Sequence, residues 1–192
     1  IHGMKGGRVD AERDRSAAQN FAEAAEQANI ERIIYLGELA DPDADLSPYL
    51  RSRLETGEIL RAGKVPVTEF RAGMIVGSGS VLFEMIRYLT ERLPIMVTPR
   101  WVSTRVQPIA VRDVLGYLKA AIRLPPRTAH DVVEIGSPDV LRYRDLMLIY
   151  ADVRGLTRRI VSTPVLSPRL SSYWINLVTP IPGALPLLLT GL

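Results

Sequence analysis

Apolar residues recur at helical spacing over residues 10–28, at Ala17, Ala18, Phe21, Ala25 and Ala28. This period predicts an amphipathic helix, and Asn29 is a suitable stop. The run Arg32-Ile33-Ile34-Tyr35-Leu36 is nearly all apolar and ends at Gly37. A strand buried on both faces of a parallel sheet reads this way. Ser47-Pro48 supplies an N-cap and a first-turn proline for a second helix, which runs to about Ala62 and stops at Gly63. A second strand follows over residues 65–70.

Further on, the pattern predicts helices over residues 81–92, 111–122 and 143–153, and strands over 95–98, 132–135 and 160–161. Strands alternating with helical crossovers predict a parallel, doubly wound α/β sheet. In such sheets ligands lie beyond the carboxyl ends of the strands. Arg71-Ala72-Gly73-Met74-Ile75-Val76-Gly77 follows the second strand, and its glycines would let a ligand approach the backbone closely.

Composition narrows the function classes. Of 192 residues, 47% are hydrophobic and 23% charged, which suits a globular domain with a sizeable core. A net charge of +3 with dispersed arginines argues against a nucleic-acid partner. The chain has no cysteine, which removes thiolate chemistry and fits a reducing, cytoplasmic setting. His2 and His130 lack ligand spacing, so no metal site is expected. No signal peptide is visible. The chain begins Ile1-His2-Gly3-Met4, which reads as part of a longer protein. It ends in an apolar, proline-broken stretch too short to span a bilayer. That stretch reads as a surface packing on something else, with membrane contact as the rival. The pattern leaves the oligomeric state open.

Several local motifs carry candidate chemistry. Tyr49 and Arg53 stand four apart on one predicted helix and share a face. A cation fixed beside a tyrosine lowers its pKa and makes it a better proton donor; an exposed aromatic–cation contact is the rival reading. Trp101 and Arg105 are candidates to line a substrate pocket; core packing and a surface charge are the rival readings. Gly77-Ser78-Gly79-Ser80 reads either as an anion loop or as a plain N-cap by Ser80. The glycines Gly3, Gly6 and Gly7 lack a preceding strand and the third fingerprint position, so they do not make a dinucleotide loop.

Three segments together resemble the extended and atypical short-chain dehydrogenases/reductases. Residues 71–77 resemble their R-P-G-x-x-x-G stretch. Gln107-Pro108-Ile109-Ala110-Val111-Arg112-Asp113-Val114 resembles Q-P-I-H-V-D-D-V. Glu134-Ile135-Gly136-Ser137-Pro138-Asp139-Val140-Leu141-Arg142-Tyr143-Arg144-Asp145-Leu146 resembles N-I-G-G-P-E-x-L-T-Y-R-E-L. The likeness is nearest to the NmrA-like branch.

The resemblance implies a Rossmann-type NAD(P)-binding domain over residues 1–164, entered at its fourth strand, with the glycine-motif strands upstream. That domain would include substrate-side elements, and residues 165–192 would form an apolar, Pro-rich helical tail packing on a further domain. It implies NAD or NADP as cofactor and a small organic molecule as substrate. Gly3 and Met4 would lie near the ribose; Gly37, Ala72, Gly73 and Ile75 would contact the cofactor. Tyr49 and Arg53 fall on the Tyr-x-x-x-Lys pair, with Arg in place of Lys. Gly37 stands about where a catalytic serine often follows the strand. The implied activity is an oxidoreductase with Tyr49 as proton donor. The alternative is a non-catalytic NAD(P)-sensing or scaffold protein.

Overall fold

The computed structural model describes residues 8–98, 100–125 and 130–162. In chain order the elements are α1 (Arg8–Gln27), β1 (Ile33–Glu38), α2 (Pro48–Ala62), β2 (Val67–Ala72), β3 (Ile75–Val76), α3 (Val81–Arg92), β4 (Ile95–Thr98), β5 (Arg105–Val106), β6 (Ile109–Ala110), α4 (Val111–Arg123), β7 (Asp131–Ile135), β8 (Leu141–Arg142), α5 (Tyr143–Val153) and β9 (Arg159–Ser162). A short 3-10 turn covers Arg100–Ser103. They pack as two compact units. The first holds the described residues up to Gly73 together with Arg112–Gly136; the second holds Met74–Val111 together with those from Ser137 on.

The first unit is built on a parallel sheet in the order β1-β2-β7. Pro66 has no N–H to give the ladder, so β2 begins at Val67 rather than at residue 65; the Pro66 carbonyl instead accepts from the Ile33 amide. Pairing of Gly37 with Arg71 and of Glu38 with Ala72 carries β1 past Leu36, so Gly37 lies inside the strand.

Helix ends follow the local chemistry. Ser47 Oγ accepts from the Leu50 amide at 3.3 Å, with Pro48 at the first helical position. Asn29 closes α1 in a left-handed conformation, φ 52°, while the Ile30 amide reaches back to the Ala25 carbonyl. The buried face of α1 carries Asp14, Ala18 and Ala25; Phe21, expected on that face, is 45% exposed.

Alternation along β2 sends successive side chains to opposite faces. Phe70 packs against Tyr117 of α4, ring centroids 6.0 Å apart. Glu69 lies on the face that α2 covers and is 1% exposed. A buried carboxylate needs counter-charge. Arg71 supplies it, Nε donating to Oε1 at 2.9 Å, and Arg61 pairs with Oε2. Room for this carboxylate comes from two glycines. A Cβ on Gly57 would sit 2.8 Å from both Glu69 oxygens, and one on Gly37 would sit 3.0 Å from Oε1.

The second unit packs α3 and α5 around Met74, Met85, Ile86, Leu89, Met96, Val102, Tyr143 and Met147. Methionine, flexible and polarizable, fills the gaps between irregular short elements. β3 pairs with β6 and β4 with β9 in parallel, while β5 and β8 run antiparallel. Parts of all three resembling segments meet here. The Ile109 amide donates to Met74 O, the Ser137 amide to Pro108 O, and Gln107 Nε2 to Ser137 O at 2.6 Å. Gly77 lets the start of α4 close in, since a Cβ there would lie 2.5 Å from Val111 Cγ1. Ser80 caps α3, accepting from the Phe83 amide.

Replacing a mid-helix glycine by alanine ordinarily stabilises a helix by about 1 kcal/mol. Gly57→Ala is expected to do the opposite. The Glu69 carboxylate is held by two arginines and cannot swing away, so overpacking should remove about 1–3 kcal/mol. Urea denaturation of the two proteins measures this; equal or greater stability in the variant would contradict the packing described.

Candidate functional site

The carboxyl end of β1 and the first turns of α2 gather the ionisable side chains that sequence spacing singled out, together with others it did not. Tyr49 and Arg53 share a face of α2, as their spacing requires, with the guanidinium carbon 5.0 Å from the ring centroid. Arg53 is 3% exposed. Its Nη2 donates to Asp14 Oδ2 of α1 at 2.6 Å, and Asp14 is itself 6% exposed. Ser52 Oγ donates to the same Asp14 oxygen at 3.2 Å. Arg53 Nε and Nη1 are buried without a hydrogen-bond partner among the described residues. Burial alone holds the Arg53 pKa below its ordinary value.

Asp14 changes what Arg53 does to Tyr49. The expected lowering of the Tyr49 pKa does not occur; it is raised to about 12, first by burial, then by Glu38 and by Asp14. The charge of Arg53 is offset by the carboxylate bonded to it, so the phenol experiences desolvation and two carboxylates instead of a free cation. Tyr35, on β1, is likewise pushed up to about 12 by burial, then by Glu38, Tyr49 and Asp14. Its hydroxyl donates to the Arg53 carbonyl at 3.4 Å. Tyrosines in this state hold their protons at neutral pH and act as hydrogen-bond donors.

Glu38 ends β1. Burial raises its pKa to about 7, far above the ordinary 4.5. Among the described residues its carboxylate has neither an ion pair nor a hydrogen-bond donor, in contrast to those of Glu69 and Asp14.

Gly37 lies one residue earlier, where a Cβ would come 3.1 Å from Tyr35 Cε1 as well as close to Glu69. Ala72, 2% exposed, ends β2, and Gly73 follows it, so both lie at the carboxyl edge of the first unit's sheet. Ile75 and Arg105 belong to the second unit. Ile75 pairs with Ile109, and Arg105 is exposed opposite Arg142 in the β5–β8 ladder. Gly3, Met4, the Trp101 side chain and residues 165–192 lie outside the described residues. Among the described residues no cluster of His, Asp and Glu could hold a metal, and no helix is long and apolar enough to cross a membrane.

No family model matches the chain, and no curated protein matches it. Solved structures do. MoeE5 in complex with UDP-glucuronic acid and NAD superposes with a TM-score of 0.62 at 20% identity, over 77% of this chain and 56% of that one. WbmG of Bordetella bronchiseptica in complex with NAD gives 0.67 at 16% identity, over 85% and 57%. A UDP-glucose 4-epimerase of Thermus thermophilus in complex with NAD gives 0.61 at 17% identity, over 82% and 59%. The fold is of the Rossmann type. The chain spans less than two thirds of the length of each of these Rossmann structures.

Removing one partner of the Asp14–Arg53 pair leaves a buried charge without compensation. Asp14→Ala is therefore expected to cost about 3–5 kcal/mol, whereas Asp14→Leu combined with Arg53→Met should recover most of that loss. A denaturation series on the three proteins checks this. A single variant as stable as the parent would mean that the pair is not buried in solution.

Proposed function

We propose that the chain is an NAD(P)-binding member of the extended or atypical short-chain dehydrogenases/reductases, and an oxidoreductase acting on a small organic substrate. The observation that carries this reading is the Tyr49–Arg53 face at the carboxyl edge of a Rossmann-type sheet, with two buried Arg53 donors awaiting acceptors. Ribose hydroxyls are acceptors of the right kind, so these donors fit a dinucleotide. When bound, the nicotinamide would accept or donate the hydride. The chain's own residues would do the rest. Arg53 orients the ribose, Asp14 fixes the guanidinium, and the Tyr49 hydroxyl gives its proton to the substrate oxygen. The resemblance of three sequence segments and the NAD named with the superposed structures support the same reading. Two of those structures are also described with a UDP-sugar ligand or name, which makes UDP-glucose and UDP-glucuronic acid the first candidates in a substrate panel.

One observation favours a second reading, a protein that binds NAD(P) and senses or scaffolds without chemistry. Arg53 is neutralised by Asp14 and Tyr49 is strongly protonated, so the pair lacks the activation a free cation would give.

Tyr49→Phe distinguishes the two. The enzyme reading expects NADH affinity to be kept while turnover of nucleotide sugars and simple carbonyl compounds falls by about a hundredfold or more. Turnover equal to the parent's would remove Tyr49 from the mechanism. Turnover in neither protein, with binding kept in both, would support the sensor.

A further inference from the structure

We infer that the outer face of the β4–β9 pair is a docking surface for the chain's own residues 168–178, which lie across it as a helix. The inference concerns the second unit alone and goes beyond the dinucleotide reading.

β4 and β9 run parallel, with Ile95 opposite Arg159 and Val97 opposite Val161. Alternation divides their side chains between two faces. On the inner face Met96 is buried in the second unit's core, and Ile160 packs against that core. On the outer face Ile95, Val97 and Val161 are from 45% to 61% exposed. Parallel strands are ordinarily covered on both faces, which is why they read as continuous apolar runs. Ile95-Met96-Val97 and Ile160-Val161 read this way. A face meant for water would carry polar residues at 95, 97 and 161. The outer face is therefore built for a cover, and among the described residues it has none.

The chain beyond β9 supplies one. Residues 163–192 lie outside the described residues, and their sequence carries a helix pattern. Ser167-Pro168 repeats the Ser47-Pro48 arrangement that starts α2, where Ser47 Oγ caps the Leu50 amide. Leu170, Trp174, Leu177 and Val178 then fall on one side, with Ser172, Asn176 and Thr179 opposite. Pro180 sets the end, because the residue before a proline is driven out of helical backbone. A helix over 168–178 is about 16 Å long and a four-residue strand about 13 Å, so the lengths match. Residues 163–167 join Ser162 of β9 to this helix, a connection of ordinary length for a strand followed by a helix that packs back on it. The tether holds the segment at an effective concentration on the order of millimolar, an advantage a second copy of the chain lacks. These residues then pack on the chain's own second unit rather than on a further domain.

The test reads hydrogen–deuterium exchange in the full chain. A helix this short is marginal on its own, so protection reports docking. The amides of residues 172–178 are expected to exchange about tenfold or more slower than in an unstructured chain. Val97→Asp should abolish that protection while α3 and α5 keep theirs. Unprotected amides at 172–178 in the parent overturn the inference, as does protection that survives Val97→Asp. Loss of protection in α3 and α5 as well would mean that the variant unfolds the unit, and a cross-link then decides. The chain has no cysteine, so Val97→Cys with Tyr173→Cys gives a unique pair for a short bismaleimide. A link within one chain supports the docking. A link only between two chains assigns the face to a second copy and overturns it, and absence of any link overturns it too.

Discussion

The Asp14–Arg53 ion pair is the constraint on which the first unit's site depends. Two charges removed from water cost several kcal/mol each, and their attraction offsets this only when geometry is good and remaining hydrogen bonds are satisfied. Here one arginine nitrogen meets a carboxylate at 2.6 Å, a serine adds a second bond to that oxygen, and two arginine nitrogens stay unmatched among the described residues. Such a pair is a poor device for stability alone. It is a good device for specificity: it ties α1 to α2 and holds the guanidinium in one orientation. The leftover donors make sense if a ligand supplies their acceptors.

The same pair sets the electrostatics around it. A lysine or arginine free of counter-charge would draw the Tyr49 pKa down. With Asp14 in place, burial and nearby carboxylates dominate, and Tyr49, Tyr35 and Glu38 are all shifted toward their neutral forms. The carboxyl edge of this sheet is thus a cluster of protonated or nearly protonated groups around one compensated cation. Glu69 solves the problem of a buried acid differently, with two arginines and with glycines at positions 37 and 57 that leave it space.

Much of this was legible in the chain, for physical reasons that differ by element. The α2 start could be read because Ser47-Pro48 has a single mechanical meaning, and α5 because its period is clean and Tyr143–Val153 is bounded by polar residues. Tyr49 and Arg53 could be placed on one face because four residues make about one helical turn. Asp14 could not be found this way, since its partner lies 39 residues on, and nothing local marks an acid on an alanine-rich face as buried. The two-residue strands β3, β5, β6 and β8 are too short for any period to register. The importance of Glu69 was hinted at only by two arginines and two glycines, scattered in sequence, that the fold brings around one carboxylate.

The central claim is that the edge formed by β1 and the start of α2 receives a dinucleotide. Hydrogen–deuterium exchange of the full chain, with and without saturating NADH, tests it most directly. The account predicts slowed exchange at the amides of residues 37–40 and 49–54, where the β1 end and the Tyr49–Arg53 turn lie. Unchanged exchange in both segments, with NADH demonstrably bound, would contradict it.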